Sequence, residues 1–512
     1  MNSWPGSIRS AARPAPEQAM AGLFRSRLTW FERAQASLAI QVGRSLTFLL
    51  RSLGRGATAL PGKAALRVDP LLLKRLTAGR KVYLVTGTNG KTTTVRILCS
   101  ILETLGTPVI TNPSGANLDS GLTTTLLDHL PHLRQKTSGE NDLAIVFEID
   151  EAFFAKLAAS LGPSVCVVTN FFRDQLDRYG ELAHTRDLIA KGLADSSARV
   201  VLCADDSLCA SLARGREDQC LFFGLDQAAM QTGPSGAVTE SAFCTFCGTR
   251  YQYQAHAYGH LGQFTCPGCG FSRPQPDLSF APAALASAAA APDTAAGNGR
   301  QATETRSEAQ TLQIRYQDEM QTAELAIPGI HNGYNASAAL LAAMAGGHAF
   351  APAAFALGQA RAAFGRMERF RVDEREVCLI LVKNPVGMDR ALDYVSHATD
   401  YGAALLLLNA NDPDGRDVSW IWDVDFESHL LPGPLGISGV RAADLALRLN
   451  YAGKPASELQ TDPDALALFD RQLARCPAGT CLYVLPNYTA MLDLRASLAK
   501  RYHLREFWRK GG

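Results

Sequence analysis

"KVYLVTGTNGKTTTVRILCS" runs from Lys81 to Ser100, and its reading decides the fold. Val82 to Val85 make an apolar run of strand length, while the apolar residues after Thr94 recur at helical spacing. Between them, at the turn, lies "GTNGKTTT", Gly87 to Thr94. Backbone N–H groups of such a turn, with the positive end of the helix that follows, bind phosphate oxygens. Lys91 brings a positive charge to the phosphates, and Thr92 is placed to ligate magnesium. A nucleotide site is therefore expected at Gly87, Thr88, Asn89, Gly90, Lys91, Thr92 and Thr93.

Further buried-strand candidates follow as "LAIVFEID", "PSVCVVTN" and "ARVVLCADD", with helical stretches between them. That alternation predicts an α/β fold with a parallel sheet covered on both faces. "TLQIRYQDEMQTAELAIPG" alternates like a hairpin. From about Gly365 a second α/β pattern begins, with strands "VCLILVKN", "GAALLLLNA", "GPLGISG" and "TCLYVLPNYT". Three regions are expected: a tail with an amphipathic helix over 1–58, a central P-loop ATPase domain over 59–364, and a C-terminal Rossmann-like α/β domain over 365–512.

At 512 residues, 47% apolar and 19% charged, the chain has the composition of a soluble globular protein of two or three domains. A net charge of +1 and the lack of a basic run give no argument for nucleic acid. The N-terminus lacks the apolar core of a signal peptide, and no segment approaches the roughly 18 apolar residues of a membrane span. "LAIQVGRSLTFLLRSLGR", from Leu38, mixes apolar and basic positions at helical spacing. It suits either a bilayer surface or packing on its own domain.

Four of the twelve cysteines form two tight pairs, "CTFC" and "CPGC". Cys244, Cys247, Cys266 and Cys269 have the spacing of a four-thiolate zinc (Zn2+) ribbon over about 241–275, with a redox dithiol as the other reading. Such a closed site is structural, and His256 and His260 between the pairs are not needed as ligands. The other eight cysteines, in apolar segments, fit a reducing cytoplasm. From Ser279 to Gln310 the chain is Ala-, Pro-, Gly- and Thr-rich, and a disordered insertion is expected there.

The loop "GTNGKTT" resembles that of the Mur ligase superfamily, enzymes that use ATP to phosphorylate a carboxylate before an amine attacks it. "FEID" matches the superfamily's magnesium-binding acid at Glu148, and "TNFFRDQLDRYG" resembles a segment through which Asp174 and Asp177 would hold Mg2+. "GIHNGYNASAA" matches a helix start that would bring Asn332 and Asn335 to the nucleotide. "FGRMERF" matches the segment opening the C-terminal domain, with Arg366, and "VKNPVGMD" resembles the segment in which an Asn-Pro, here Asn384, or a lysine approaches the nucleotide. Two departures stand out. Gln175 occupies the position of a histidine that supports a second magnesium, and Lys191 is out of register with the lysine carbamylated in amino-acid-adding members.

The ribbon, "TNPSGANLDSGLTTTLL", "LPNYTAML" and "DVSWIWDVDFE" (Asp417–Glu427) together resemble the MurT family, the synthetase subunits of lipid II isoglutaminyl synthase. The resemblance implies ATP-dependent amidation of the D-glutamate α-carboxylate of lipid II. It also implies cell-wall (peptidoglycan) biosynthesis in the cytoplasm or at the inner face of the plasma membrane. Ammonia would come from a GatD-like glutaminase in a heterodimer. Cys481 reads as a buried strand cysteine, so no glutaminase nucleophile is expected here. The resemblance further implies that this chain lends an acid to the partner's histidine, for which Asp423, with Asp417 in reserve, is the candidate. The plainer reading of Asp417–Glu427 is a short strand or loop with Trp420 and Trp422 on the core and solvated acids. Addition of an amino acid, as in other superfamily members, is the alternative reaction.

Overall fold

Most strand-forming runs in this chain, those of the parallel strands, are apolar throughout rather than alternating, which requires that both faces of the sheet be covered. The computed structural model describes residues 23–24, 28–53, 58–112, 116–134, 142–172, 182–194, 196–232, 241–283, 310–325, 327, 329–359 and 368–504. The strands are β1 (Lys81–Thr86), β2 (Val109–Thr111), β3 (Ala144–Glu148), β4 (Val165–Val168), β5 (Arg199–Cys203) and β6 (Cys220–Leu225). β7 (Gln231–Thr232), β8 (Gln252–His256) and β9 (Gly262–Thr265) follow, then β10 (Leu278–Pro282), β11 (Gln310–Tyr316) and β12 (Glu319–Leu325). The last six are β13 (Glu368–Val372), β14 (Arg375–Leu379), β15 (Tyr401–Leu407), β16 (Leu435–Ser438), β17 (Leu459–Thr461) and β18 (Cys481–Pro486).

Nine strands form one sheet in the order β12-β11-β10-β6-β5-β4-β1-β3-β2. It is parallel from β2 to β10, and the expected hairpin β11–β12 adds antiparallel strands at its edge. The second sheet runs β13-β14-β18-β15-β16-β17 and is parallel except for β13. Separate apolar clusters line its two faces, as a doubly covered parallel sheet demands. A third, three-stranded sheet, β7-β8-β9, carries the cysteine pairs.

Two sequence expectations change here. Ser279–Pro282, read as the start of the insertion, form β10, because Leu278 to Phe280 pair in parallel with β6. Residues 284–309 lie outside the described residues. Ser419–Asp423, read as strand or loop, forms a short 3-10 helix.

The helix Trp30–Ser52 begins with a capping box, in which Thr29 accepts from the Glu32 amide and Glu32 accepts from the Thr29 amide. Ala36, Ala39, Ile40, Gly43 and Thr47 are buried against the helices Leu60–Val68 and Asp119–Asp128. Gly62 makes this contact close: its N–H donates to Thr124 Oγ1 at 2.9 Å, and a Cβ there would meet the Ser120 carbonyl oxygen. Gly62→Ala is expected to cost about 1–3 kcal/mol through overpacking against that backbone. Thermal unfolding of the full chain measures it, and an unchanged Tm would contradict the tight seat.

Candidate functional site

The helix Lys91–Thr104 starts directly after β1, at the carboxyl ends of the parallel strands, where ligands of open α/β sheets sit. Gly90 precedes it in the left-handed region with φ of 82°, and no side chain caps it. A Cβ on Gly90 would collide with Asn335 Oδ1, so the loop is pressed onto the helix Ile330–Ala345. A second clamp comes from the end of β4. Thr88 N donates to Asn170 O and Asn89 N to Asn170 Oδ1, both at 2.9 Å, while Thr169 Oγ1 donates to Asn89 O at 2.7 Å.

Lys91 lies in this cradle, its Nζ 2.5 Å from Gly87 O and 2.9 Å from Glu151 Oε1. Burial pushes the Lys91 ammonium down, but the Glu151, Glu148 and Asp150 carboxylates together outweigh it and hold the pKa above its ordinary value. Lys91 therefore stays charged. Burial raises the Glu151 carboxyl in turn, with Lys91 opposing it. Sequence reading missed Glu151, which looks there like an ordinary first-turn acid. Glu148 ends β3 opposite Val85 of β1, one strand across from the loop, and Asn112 brackets its backbone N–H and carbonyl at 2.9 and 3.0 Å. Thr92 and Thr93 stand in the first turn beside Lys91, and Asn335 Nδ2 donates to Asn332 Oδ1 at 3.2 Å. Uncapped helical N–H groups, a charged lysine and a nearby carboxylate fit the phosphates of a nucleotide and a metal ion.

The C-terminal sheet reaches the same loop. Asn384 caps the helix Pro385–Ser396, and its Nδ2 donates to Asn89 Oδ1 at 2.9 Å. Lys383 Nζ donates to Thr88 O at 3.2 Å. Tyr488 lies near Asp414 and Glu148, and burial followed by those two charges raises its phenol. Asp174, Asp177 and Arg366 lie outside the described residues. Lys191 is exposed on the helix Leu182–Ala194.

The four ribbon thiols converge, with all Sγ atoms within 4.8 Å of one another. Cys244 and Cys269 are 3.6 Å apart and Cys247 and Cys266 3.3 Å, near the ~3.8 Å of a tetrahedron with bonds of about 2.3 Å. Hydrogen bonding with Thr249 pushes the Cys247 thiol down to about 6, towards the thiolate a metal needs. The set could hold a metal ion. His260 is buried and faces Asp206, and His256 stacks on Tyr253, so neither joins it. Glu376, Asp400 and Cys481 also cluster, but Arg369 already pairs both carboxylates at 3.0 Å. Cys481 is fully buried in β18, and burial drives its thiol far up, as a structural cysteine requires.

Asp417–Glu427 lies over the helix Ala442–Tyr451. Ile421, Val424 and Phe426 are buried, Trp420 is half-buried, and Trp422 is 49% exposed. Buried Arg448 pins the segment, donating to Ile421 O at 3.2 Å, to Val424 O at 2.7 Å and to both Glu427 oxygens at 2.8 Å. Its guanidinium also lies over the Trp422 and Phe426 rings. Nothing in the amphipathic pattern of "VRAADLALRLNYAG" marks Arg448 as buried. Asp417 Oδ1 accepts the Ser419 N–H at 2.8 Å, and Asp423, exposed, ends the 3-10 helix. Asp425 N donates to Asp389 Oδ1 at 2.9 Å, tying the segment to the same helix that Asn384 caps. Burial lifts the Asp389 carboxyl to about 6. Tyr451, itself exposed, packs its ring edge-on against Trp422 at 5.5 Å.

Two family descriptions match the sequence: the Mur ligase middle domain over residues 85–263, and the MurT ligase C-terminal domain over residues 381–491. A lipid II isoglutaminyl synthase (glutamine-hydrolyzing) subunit MurT of Streptococcus pneumoniae is 35% identical over 480 residues, spanning 92% of this chain and 99% of that protein. The Staphylococcus aureus subunit of the same name is 28% identical over 460 residues, spanning 88% and 95%. Among solved structures, a pseudomurein peptide ligase type C from Methanothermus fervidus superposes with a TM-score of 0.59 at 20% identity, covering 84% of this chain and 80% of the other. MurF from Acinetobacter baumannii gives 0.57 at 18%, covering 85% and 80%. These two likenesses concern the fold.

Arg448→Met keeps the aliphatic stem but removes every tie to the segment. It is expected to destabilise the chain by about 1–3 kcal/mol by orphaning the Ile421 and Val424 carbonyls. Hydrogen exchange over residues 417–427 should speed up, and unchanged protection there would refute the pin.

Proposed function

The chain belongs to the MurT family of Mur ligases, and on that premise we propose that it is the synthetase subunit of a lipid II isoglutaminyl synthase. An oxygen of the D-glutamate α-carboxylate in the stem peptide attacks the γ-phosphorus of ATP, and ADP leaves. Ammonia then attacks the acyl carbon, phosphate departs, and D-isoglutamine remains. The observation that carries this reading is 35% identity over 92% of the chain to a protein named as that subunit.

The residues divide by task. The loop Gly87–Gly90, the N–H groups at Lys91–Thr93, and the Lys91 ammonium receive the phosphates. Glu151 keeps Lys91 charged and aimed. Thr92, Glu148 and Asp174 would hold magnesium, which offsets charge on the transferred phosphoryl group. Asn332, Asn335 and Asn384, with Arg366, would contact the nucleotide. The ribbon thiols hold a structural zinc ion.

The chain works with a separate glutaminase of the GatD type, in the cytoplasm where its lipid-linked substrate faces. The exposed pair Trp422 and Tyr451 supplies the aromatic anchor that protein interfaces favour. Asp423, at the end of the 3-10 helix beside Trp422, orients the partner's histidine, with Asp417 in reserve.

Mass spectrometry of lipid II incubated with ATP, magnesium and this chain tests the reaction, with glutamine or ammonia and with or without the glutaminase. A one-for-one replacement of hydroxyl by amine is expected with ammonia alone, and with glutamine only when the partner is present. Lys91→Ala should lower both rates about a hundredfold or more. Asp423→Asn should lower only the glutamine-dependent rate, by about a thousandfold. Mass gain from an added amino acid, with neither nitrogen source used, would replace this reading by the amino-acid-adding one.

Elemental analysis of the purified chain should find one zinc ion, lost in Cys266→Ser together with a lower Tm. A metal-free chain with an unchanged Tm would remove the structural zinc.

A further inference from the structure

Trp30, Phe31, Leu38, Phe48 and Leu49 stand exposed on the helix Trp30–Ser52, Trp30 by 82% and Phe48 by 77%. At ~100° per residue these five fall within one arc of about 100°. The buried face of Ala36, Ala39, Ile40, Gly43 and Thr47 lies on the opposite side. Packing on the neighbouring helices therefore accounts for the inner face alone. A surface helix of a globular protein normally turns polar residues outward, whereas this one sets five large apolar residues there among Gln41, Ser45 and Ser52.

Charge completes the pattern. Arg33, Arg44 and Arg51 are exposed and fall within about 20° of one another, along one border of the apolar arc. Glu32 is the single acid of the helix, and it is engaged with Thr29 and Arg75. Arg51 reaches Asp128, which leaves Arg33 and Arg44 as the cations offered outward on this border. An apolar stripe edged by arginines is complementary to a bilayer surface bearing anionic headgroups. The helix is about 35 Å long, enough to lie along such a surface, and no helix among the described residues is long and apolar enough to cross it.

We propose that this outer face docks the chain on an anionic lipid surface. Trp30, Phe31, Phe48 and Leu49 enter the boundary between headgroups and acyl chains, and Arg33 and Arg44 meet lipid phosphates. The inference deepens the reading of a lipid-linked substrate and rests on it for its purpose. The docking itself can be measured without catalysis.

The full-length chain is expected to co-sediment with vesicles of phosphatidylcholine and phosphatidylglycerol, and far less with phosphatidylcholine alone. Arg33→Gln with Arg44→Gln should weaken binding about fivefold per arginine. Phe48→Ser with Leu49→Ser should weaken it about tenfold or more. All four positions are exposed, and circular dichroism of each variant checks that the fold is kept. Docking is overturned if the parent does not bind anionic vesicles, or if both variants bind as it does. It is also overturned if the apolar variant instead abolishes a dimer seen by analytical ultracentrifugation, since the face would then cover a second copy. Binding only after removal of residues 1–22 would assign the face to the chain's own N-terminus. Amidation of detergent-dispersed lipid II, read in parallel, separates the two ideas. Amidation without vesicle binding sinks the docking alone, and vesicle binding without amidation sinks the reaction alone.

Discussion

The loop from Gly87 to Gly90 is held from three directions, and the rest of the molecule is arranged around that grip. Thr169 and Asn170 hold it from the end of β4, Asn335 presses on the missing side chain of Gly90, and Lys383 and Asn384 reach it from the second sheet. The Thr169, Asn170 and Lys383 contacts satisfy backbone amides and carbonyls of the loop. The first turn of the helix Lys91–Thr104 is spared, so its N–H groups point at the crevice. A phosphate site of this kind needs little rearrangement to receive charge.

The parts legible in the sequence were those with a local signature. An apolar run, glycines and a lysine announced the loop, and two pairs of cysteines announced the ribbon. The parallel parts of both sheets followed from strands apolar throughout, and the edge hairpin from alternation. Less legible were residues whose role depends on a distant element folding over them. Glu151 looks like a helix-favouring acid until Lys91 is brought beside it. Thr169 and Asn170 stood within a segment matched to a family pattern, but their hold on the loop exists only because β4 lies next to β1. Ala- and Pro-rich composition hid β10, whose pairing with β6 spans the whole ribbon.

Arg448 shows the same limit and also its use. A guanidinium is tolerated in a buried place when its donors are met, and here two backbone carbonyls and a carboxylate meet them. The 3-10 helix Ser419–Asp423 is too short to hold its own shape, so Arg448 and the tie to Asp389 supply rigidity from outside. That frees Trp422 and Asp423 to face outward at fixed positions. An exposed aromatic is normally a poor choice for a surface, and its price is met only if something docks there.

One helix, Pro385–Ser396, carries Asn384 at its start and Asp389 in its second turn. The first touches the loop Gly87–Gly90 and the second holds the segment Asp417–Glu427. Two events separated in chemistry are thereby geared to a single rod. A rigid shift of this helix that lifted Asn384 from Asn89 would move Asp389 and its hold on Asp425 as well. Under the proposed reaction, nitrogen would be presented only while the nucleotide is covered. The synchrony would come from the stiffness of three helical turns and would require no signal passed between the sites.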